Sequence, residues 1–389
     1  MNAAVKAVIK AALYKQETGP VNLTKEDFEE LKAQTLVFLT ADVPEISCED
    51  SLRSEMLKYT AKQMQKFSRY MKAQDDLTSL LTWDRIKPVI IKGTAAAMHY
   101  PSPGLRAMGD IDFLLYPNNE ETFQKAQKIL LAHGYEVRDK AEDSERHAAF
   151  TKDGISFEMH RRFALGEAKE ELEAEQMIAD AEPERRMLEC YGSHRLYTLP
   201  DAENGIVLLE HIAHHLFSGL GLRQITDWLM YTETVMTDKF FEEKFRPLAE
   251  RAGLLTLAEV VTRCGELYFG APKREWCKNA DEAVCTDLME LAARAGNFGR
   301  NRKQSDAAAT TVMNRRLSLA VLQKRGLKNW KAAQKHAVLR PFAWLYQSGR
   351  YIKKGISRRK ENSEGILQNY RDHKKQSKLI AKLGLRSRR

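Results

Sequence analysis

Asp110 and Asp112 stand two apart in the stretch VIIKGTAAAMHYPSPGLRAMGDIDFLL, residues 89 to 115. On an extended strand, residues i and i+2 share a face, so these carboxylates lie side by side and repel. A divalent cation removes that repulsion. Mg²⁺ prefers oxygen donors and is usually held by one or two carboxylates plus substrate phosphates. Ahead of them, the apolar run ending at Ile91 leads into Lys92-Gly93-Thr94 and a short alanine-rich helix. A turn into a helix presents backbone N–H groups that suit an anion, and Thr94 adds a hydroxyl. A metal site beside a phosphate cradle outlines an enzyme that handles nucleotides.

The next carboxylate of interest lies in GISFEMHRRF, residues 154 to 163. Ile155, Phe157 and Met159 alternate with Ser156, Glu158 and His160, the period-two pattern of a strand with one apolar face. Glu158 and His160 therefore share the polar face, which otherwise reads as an ordinary solvated surface. Asp153-Gly154 between alternating runs predicts a hairpin of His147–Lys152 with Ile155–His160.

Lys92, Gly93, Ala95, Tyr100, Pro101, Pro103, Gly104, Arg106, Gly109, Asp110, Ile111 and Asp112 follow the pattern KGxAxxxxYPxPGxRxxGDID. In this the stretch resembles the uncharacterised nucleotidyltransferases, a family of the DNA polymerase β-like nucleotidyltransferase superfamily. Two departures stand out. Gly93-Thr94 replaces the superfamily's Gly-Gly or Gly-Ser, and fifteen residues separate Thr94 from Asp110, a longer loop than in compact members.

The resemblance implies an α+β fold: a polymerase β-like core, a small mixed sheet with flanking helices, set between helical N-terminal and C-terminal segments. It implies Mg²⁺-dependent transfer of a nucleoside monophosphate from an NTP to a hydroxyl acceptor (sugar or glycan-related, protein or RNA), with release of pyrophosphate. Asp110, Asp112 and Glu158 would be the catalytic residues and would hold two Mg²⁺ ions, with Mn²⁺ as a substitute, about 3.5–4 Å apart. Glu158 could instead serve as general base. Gly93, Thr94 and His160 would meet the nucleotide, and Lys92 or Arg106 would offset charge on the leaving pyrophosphate. For Lys92 the plain alternative is a strand-end lysine in solvent. Two other functional classes stay open: a nucleotide-binding regulatory module without catalysis, and a membrane-surface scaffold acting through its tail.

The elements that must position these residues divide the chain into four. Residues 1–86 read as helical throughout: a first helix, a second opening after Asn22-Leu23-Thr24 with Thr24 and Asp27 as a capping arrangement, and a third from about Glu49 to Ala73. Residues 87–165 form the mixed core, with strands Val89–Lys92, Ile111–Tyr116 and Tyr135–Arg138, helices Thr94–Tyr100 and Asn119–His133, and the hairpin. Residues 166–323 read as helical apart from a short strand at Arg195–Leu199, and residues 324–389 as a basic helical tail.

In Val207–Tyr231, His211 and His215 fall four apart, beside His214, with Arg223 and Asp227 on the next helix. Interleaved with Leu, Ile and Ala, they read as core residues rather than metal ligands. The family resemblance leaves open a place for His214, Arg223 or Asp227 near the nucleotide.

From Lys324 to Arg389 there are 20 Lys and Arg against 3 Asp and Glu. The rest of the chain, with 42 basic and 50 acidic residues, is net acidic, so the overall charge of +9 originates in the tail. Trp330, Phe342, Trp344, Tyr346, Tyr351 and Tyr370 are interleaved with that charge. Such a tail suits an anionic membrane or glycan-lipid surface, RNA, or packing against the body with solvated lysines. Cys48, Cys190, Cys264, Cys277 and Cys285 are odd in number, scattered and without a C-x-x-C, which argues against a disulfide framework or zinc site. Cys277 and Cys285 read as helix-packing residues. The N-terminal MNAAVKAVIKAALYKQ is broken by Lys6 and Lys10 and reads as an amphipathic helix rather than a signal peptide. No run approaches the roughly 18 apolar residues of a spanning helix. The expectation is a cytoplasmic protein, with a peripheral place at the inner membrane surface open through the tail.

Overall fold

The computed structural model describes residues 1–138, 147–164, 166, 168–296, 319–350 and 374–385. Tyr351, Tyr370 and the closing Arg386-Ser387-Arg388-Arg389 lie outside the described residues. The fold is α+β, a central mixed sheet flanked by helices. No helix among the described residues is long and apolar enough to cross a membrane.

The N-terminal region contains α1 (Ala3–Tyr14), which buries Val5, Val8, Ile9, Ala12 and Leu13 on one face. It is not helical throughout: β1 (Val21–Asn22) and β2 (Ile46–Ser47) pair in parallel. Between them, α2 (Lys25–Ala33) opens on the Thr24/Asp27 capping box, in which Thr24 Oγ1 accepts from Asp27 N at 3.2 Å and Asp27 Oδ2 accepts from Thr24 N at 2.8 Å. Then α3 (Asp50–Trp83) runs for 34 residues, roughly 50 Å. It outlasts the expected end at Ala73 because the buried stripe of Phe67, Tyr70 and Met71 continues through Gln74, Leu77 and Leu81. The polar Gln74-Asp75-Asp76 masks that continuation in the sequence.

The sheet is built from β3 (Lys87–Ile90), β4 (Ile111–Tyr116), β5 (Glu136–Val137), β6 (His147–Lys152), β7 (Ile155–His160), β8 (Glu184–Glu189) and β9 (Ser193–Thr198). Its order is β5-β6-β7-β4-β3-β9-β8. At the β6–β7 turn, Asp153 (φ 51°) and Gly154 (φ 72°) both take the left-handed conformation that a two-residue hairpin turn needs. After residue 166 the expected strand at Arg195–Leu199 is present as β9, and the unexpected β8 forms a hairpin with it, while β9 pairs in parallel with β3. The sheet thus extends past the expected end of the core at residue 165. As an edge strand reading ERRMLE, β8 buries only Leu188 and so shows no apolar alternation.

Strand alternation decides which residues face the site. Ile111, Phe113 and Leu115 of β4, with Phe157 and Met159 of β7, pack against α3 and α5 (Glu120–Ala132). Leu114 and Val89 point the other way, into the core shared with α6 (Lys169–Asp180), α7 (Asp201–Ser218) and α8 (Leu222–Val235). Asp112 and Glu158 therefore project from the face that looks toward α7 and α8.

The long loop ahead of Asp110 is held from both sides. From α3, Gln63 Nε2 donates to Arg106 O (2.9 Å), Lys66 Nζ to Met108 O (2.6 Å) and Tyr70 Oη to Gly109 O (2.8 Å). From α8, Asp227 takes a bidentate grip on Arg106, with Nε at 3.0 Å and Nη2 at 2.6 Å, and also accepts from Tyr100 Oη at 2.8 Å. Arg106 and Asp227 are both almost fully buried. Burial opposes the Arg106 charge, but Asp227 outweighs it and holds the guanidinium above its ordinary pKa. Stripping one partner from such a pair leaves a buried, uncompensated charge. Asp227→Asn should cost roughly 3–5 kcal/mol in denaturant titration, whereas Arg106→Met with Asp227→Leu should cost less than that single change. A loss of under about 1 kcal/mol for Asp227→Asn, the range of a surface pair, would contradict the clamp.

Candidate active site

Asp112 is the second residue of β4 and stands directly opposite Glu158 across the parallel β4–β7 ladder. On the other side, β3 runs antiparallel to β4, and Ile91 N donates to Asp112 O at 3.0 Å. Lys92 follows immediately, and its Nζ donates to Asp112 Oδ1 at 2.9 Å. His160 Nε2 lies 2.8 Å from the same oxygen, a contact that needs the proton on Nε2. The His160 ring is also 3.8 Å from Glu158 Oε2. The three strands thus bring Lys92, Asp112, Glu158 and His160 together, with Asp110 and Gly93 beside them, around a cleft of about 480 Å³.

The turn that delivers Lys92 is strained. Lys92 has φ 55° and ψ −132°, a region that favours glycine, and Gly93 follows at φ 27°. A non-glycine residue held there costs on the order of 1–3 kcal/mol. The conformation ends β3, starts α4 (Gly93–Ala97) and leaves the Lys92 ammonium on Asp112, so this lysine is not a solvent-exposed strand end.

Two expected nucleotide ligands have other partners. Thr94 is fully buried and its hydroxyl donates to Gln74 Oε1 of α3 at 2.6 Å, away from the cleft. The hydroxyl ties α4 to α3. Arg106 borders the cleft, but its carboxylate partner is Asp227.

The opposite wall comes from α7 and α8. Glu210, His211, His214, His215 and Arg223 border the same cleft, so these histidines face the site rather than the core alone. His211 and His215 Nε2 atoms approach to 2.9 Å. Burial first, and then neighbouring imidazoles and cations, push both rings well below the usual histidine range. Arg223 Nη1 donates to Ala107 O at 3.3 Å. Burial, then the adjacent Arg106 charge, bring the Arg223 guanidinium down to about 10. His147 and Arg162 complete the rim. His147 was missed in the sequence although the Asp153-Gly154 turn fixes its pairing with His160, which the structure shows.

The carboxylates are electrostatically unequal. Burial disfavours charge on Asp112, but Lys92 and His160 outweigh burial and hold it below the usual carboxylate range. Burial and then Asp112 push Asp110 up, and burial, Asp112 and Asp110 push Glu158 up to about 7. Burial and the neighbouring carboxylates thus disfavour charge on Asp110 and Glu158. Among the described residues, the ligand atoms of Asp112, Glu158 and His160 lie within 4.8 Å of one another, a group able to hold a metal ion. Asp110 borders the cleft outside that group.

A family model described as uncharacterised nucleotidyltransferase matches residues 35–270. The match spans more than half of the chain, which belongs to that family. Comparison with curated proteins and with solved structures finds no match.

The strained turn can be checked directly. Lys92→Ala removes the ammonium and keeps a Cβ at φ 55°, whereas Lys92→Gly removes both. The glycine variant should be the more stable of the two by roughly 1 kcal/mol in denaturant unfolding. Equal stability, or a more stable alanine variant, would contradict the left-handed backbone.

Proposed function

We propose that this chain moves a nucleoside monophosphate from an NTP to a hydroxyl group and releases pyrophosphate, with Mg²⁺ or Mn²⁺ as its cofactor. One observation carries the reading: Asp112 and Glu158 stand in register on adjacent strands and face one cleft with Asp110, Lys92 and His160. The donor set fits a hard divalent ion, since carboxylate oxygens suit Mg²⁺ and Mn²⁺. Burial and the neighbouring carboxylates push Asp110 and Glu158 up, and a bound divalent ion would favour their charged forms. Asp110, Asp112 and Glu158 would hold a pair of such ions, which when bound neutralise phosphate charge and lower the pKa of the acceptor hydroxyl.

The chain's own groups then divide the work. Lys92, beside Asp112, and Arg223, on the facing wall, put positive charge where the triphosphate must lie. The His160 Nε2–H fixes the orientation of Asp112. Glu158, half-buried at the cleft, would in the alternative arrangement accept the proton of the acceptor hydroxyl instead of holding an ion. The acceptor oxygen bonds to the α-phosphorus, the bond from that phosphorus to the bridging oxygen breaks, and pyrophosphate leaves with the electron pair. Sugar, protein and RNA hydroxyls are the acceptor classes to test.

The test is incubation with each α-³²P-labelled NTP, Mg²⁺ and a cell extract, fractionated into protein, RNA, lipid and small-molecule pools. Label should enter one pool from α-labelled NTP and not from γ-labelled NTP. Asp110→Asn with Asp112→Asn should lower incorporation at least about a hundredfold, with thermal unfolding showing that the variant is folded. Transfer that survives the double change would place the chemistry elsewhere.

A further inference from the structure

We propose that the segment 319–350 docks on an anionic lipid bilayer, a function separate from the cleft. The segment folds back on itself through helices Leu319–Asn329 and Lys331–Lys335, a 3₁₀ turn Ala337–Phe342 and a helix over 343–350. Its inner contacts use small and polar groups. Ala333 and Ala343 are buried, Gly326 lies against Ala343, and Asn329 Nδ2 donates to the buried Gln347 Oε1 at 3.0 Å. Leu322 is buried, but three other large apolar groups do the reverse: Val338 is 82% exposed, Phe342 52% and Leu345 50%. Val338 and Phe342 lie in the 3₁₀ turn and Leu345 in the helix that follows it, so three large apolar groups are exposed within eight residues. A cluster of exposed apolar groups marks an interaction site.

Charge selects the partner. The same 32 residues contain seven Lys and Arg and no Asp or Glu, and Lys331, Lys335 and Arg350 are exposed. Apolar groups that enter the headgroup boundary, together with cations that attract anionic lipid, define an interfacial segment. RNA is the weaker fit. Binding of single strands relies on several aromatic rings open to bases, and of the aromatic residues in this segment only Phe342 is exposed, while Trp330 and Tyr346 stack on each other at 5.1 Å with planes 6° apart.

The test is flotation of the full chain with vesicles of phosphatidylcholine alone and with about 30% phosphatidylglycerol, at low and high salt. Binding to the anionic vesicles should exceed binding to the neutral ones at least roughly tenfold and weaken with salt. Val338→Ser with Phe342→Ser and Leu345→Ser should reduce it about tenfold, as should Lys331→Gln with Lys335→Gln and Arg350→Gln. The second set leaves the apolar groups in place, so a folding defect in one set would not obscure the other. Negligible binding to both vesicle types, or binding that neither set changes, would overturn the proposal. So would single-stranded RNA binding without vesicle binding, or a dimer that the serine variant converts to monomer.

Discussion

Asp112 is the point on which the site depends. It sits on β4 between an antiparallel neighbour that ends in Lys92 and a parallel neighbour that carries Glu158 and His160. No other position in β4 receives an ammonium from one side and an imidazole from the other within 3 Å of one oxygen. The arrangement carries two costs. A carboxylate is kept charged out of water, and Lys92 is kept in a backbone conformation that glycine would adopt more easily. Strain and shifted ionisation together are typical of functional sites rather than of scaffolding.

The rest of the molecule holds that point in place. The loop from Tyr100 to Gly109 carries Asp110 into the cleft and is gripped by side chains of α3 on one side and by Asp227 on the other. The two walls of the cleft differ in kind. The sheet side contributes Asp112 and Glu158 with Lys92 and His160, while α7 and α8 contribute three histidines, Glu210 and the Arg223 guanidinium. A polarity of that sort suits a ligand with phosphates at one end and a cation between them and the protein.

Much of this was legible because it depends on short-range patterns. The β6–β7 hairpin follows from Asp153-Gly154 and period-two alternation, and it fixes the positions of Glu158, His160 and His147. The adjacency of Asp110 and Asp112 to the Lys92 turn follows from a single motif. What escaped depends on partners far along the chain. Thr94 turns inward because Gln74, twenty residues earlier, accepts its proton, and Arg106 is claimed by Asp227, 121 residues later. The histidines of α7 read as core because the sequence places Leu, Ile and Ala around them, whereas the sheet opposite leaves a cleft there. In the tail, composition left a membrane surface, RNA and packing on the body all open, because it does not show that Val338, Phe342 and Leu345 are exposed.

The central claim is that Asp112 and Glu158 hold the cation on which the nucleotide rests. Electron paramagnetic resonance of Mn²⁺ titrated into the full chain, with and without a non-hydrolysable NTP analogue, tests it without requiring the acceptor. The account predicts that the chain removes the signal of free Mn²⁺, more strongly with the analogue present, and that Asp112→Asn or Glu158→Gln abolishes the effect. Mn²⁺ binding that is unchanged in both variants would contradict it.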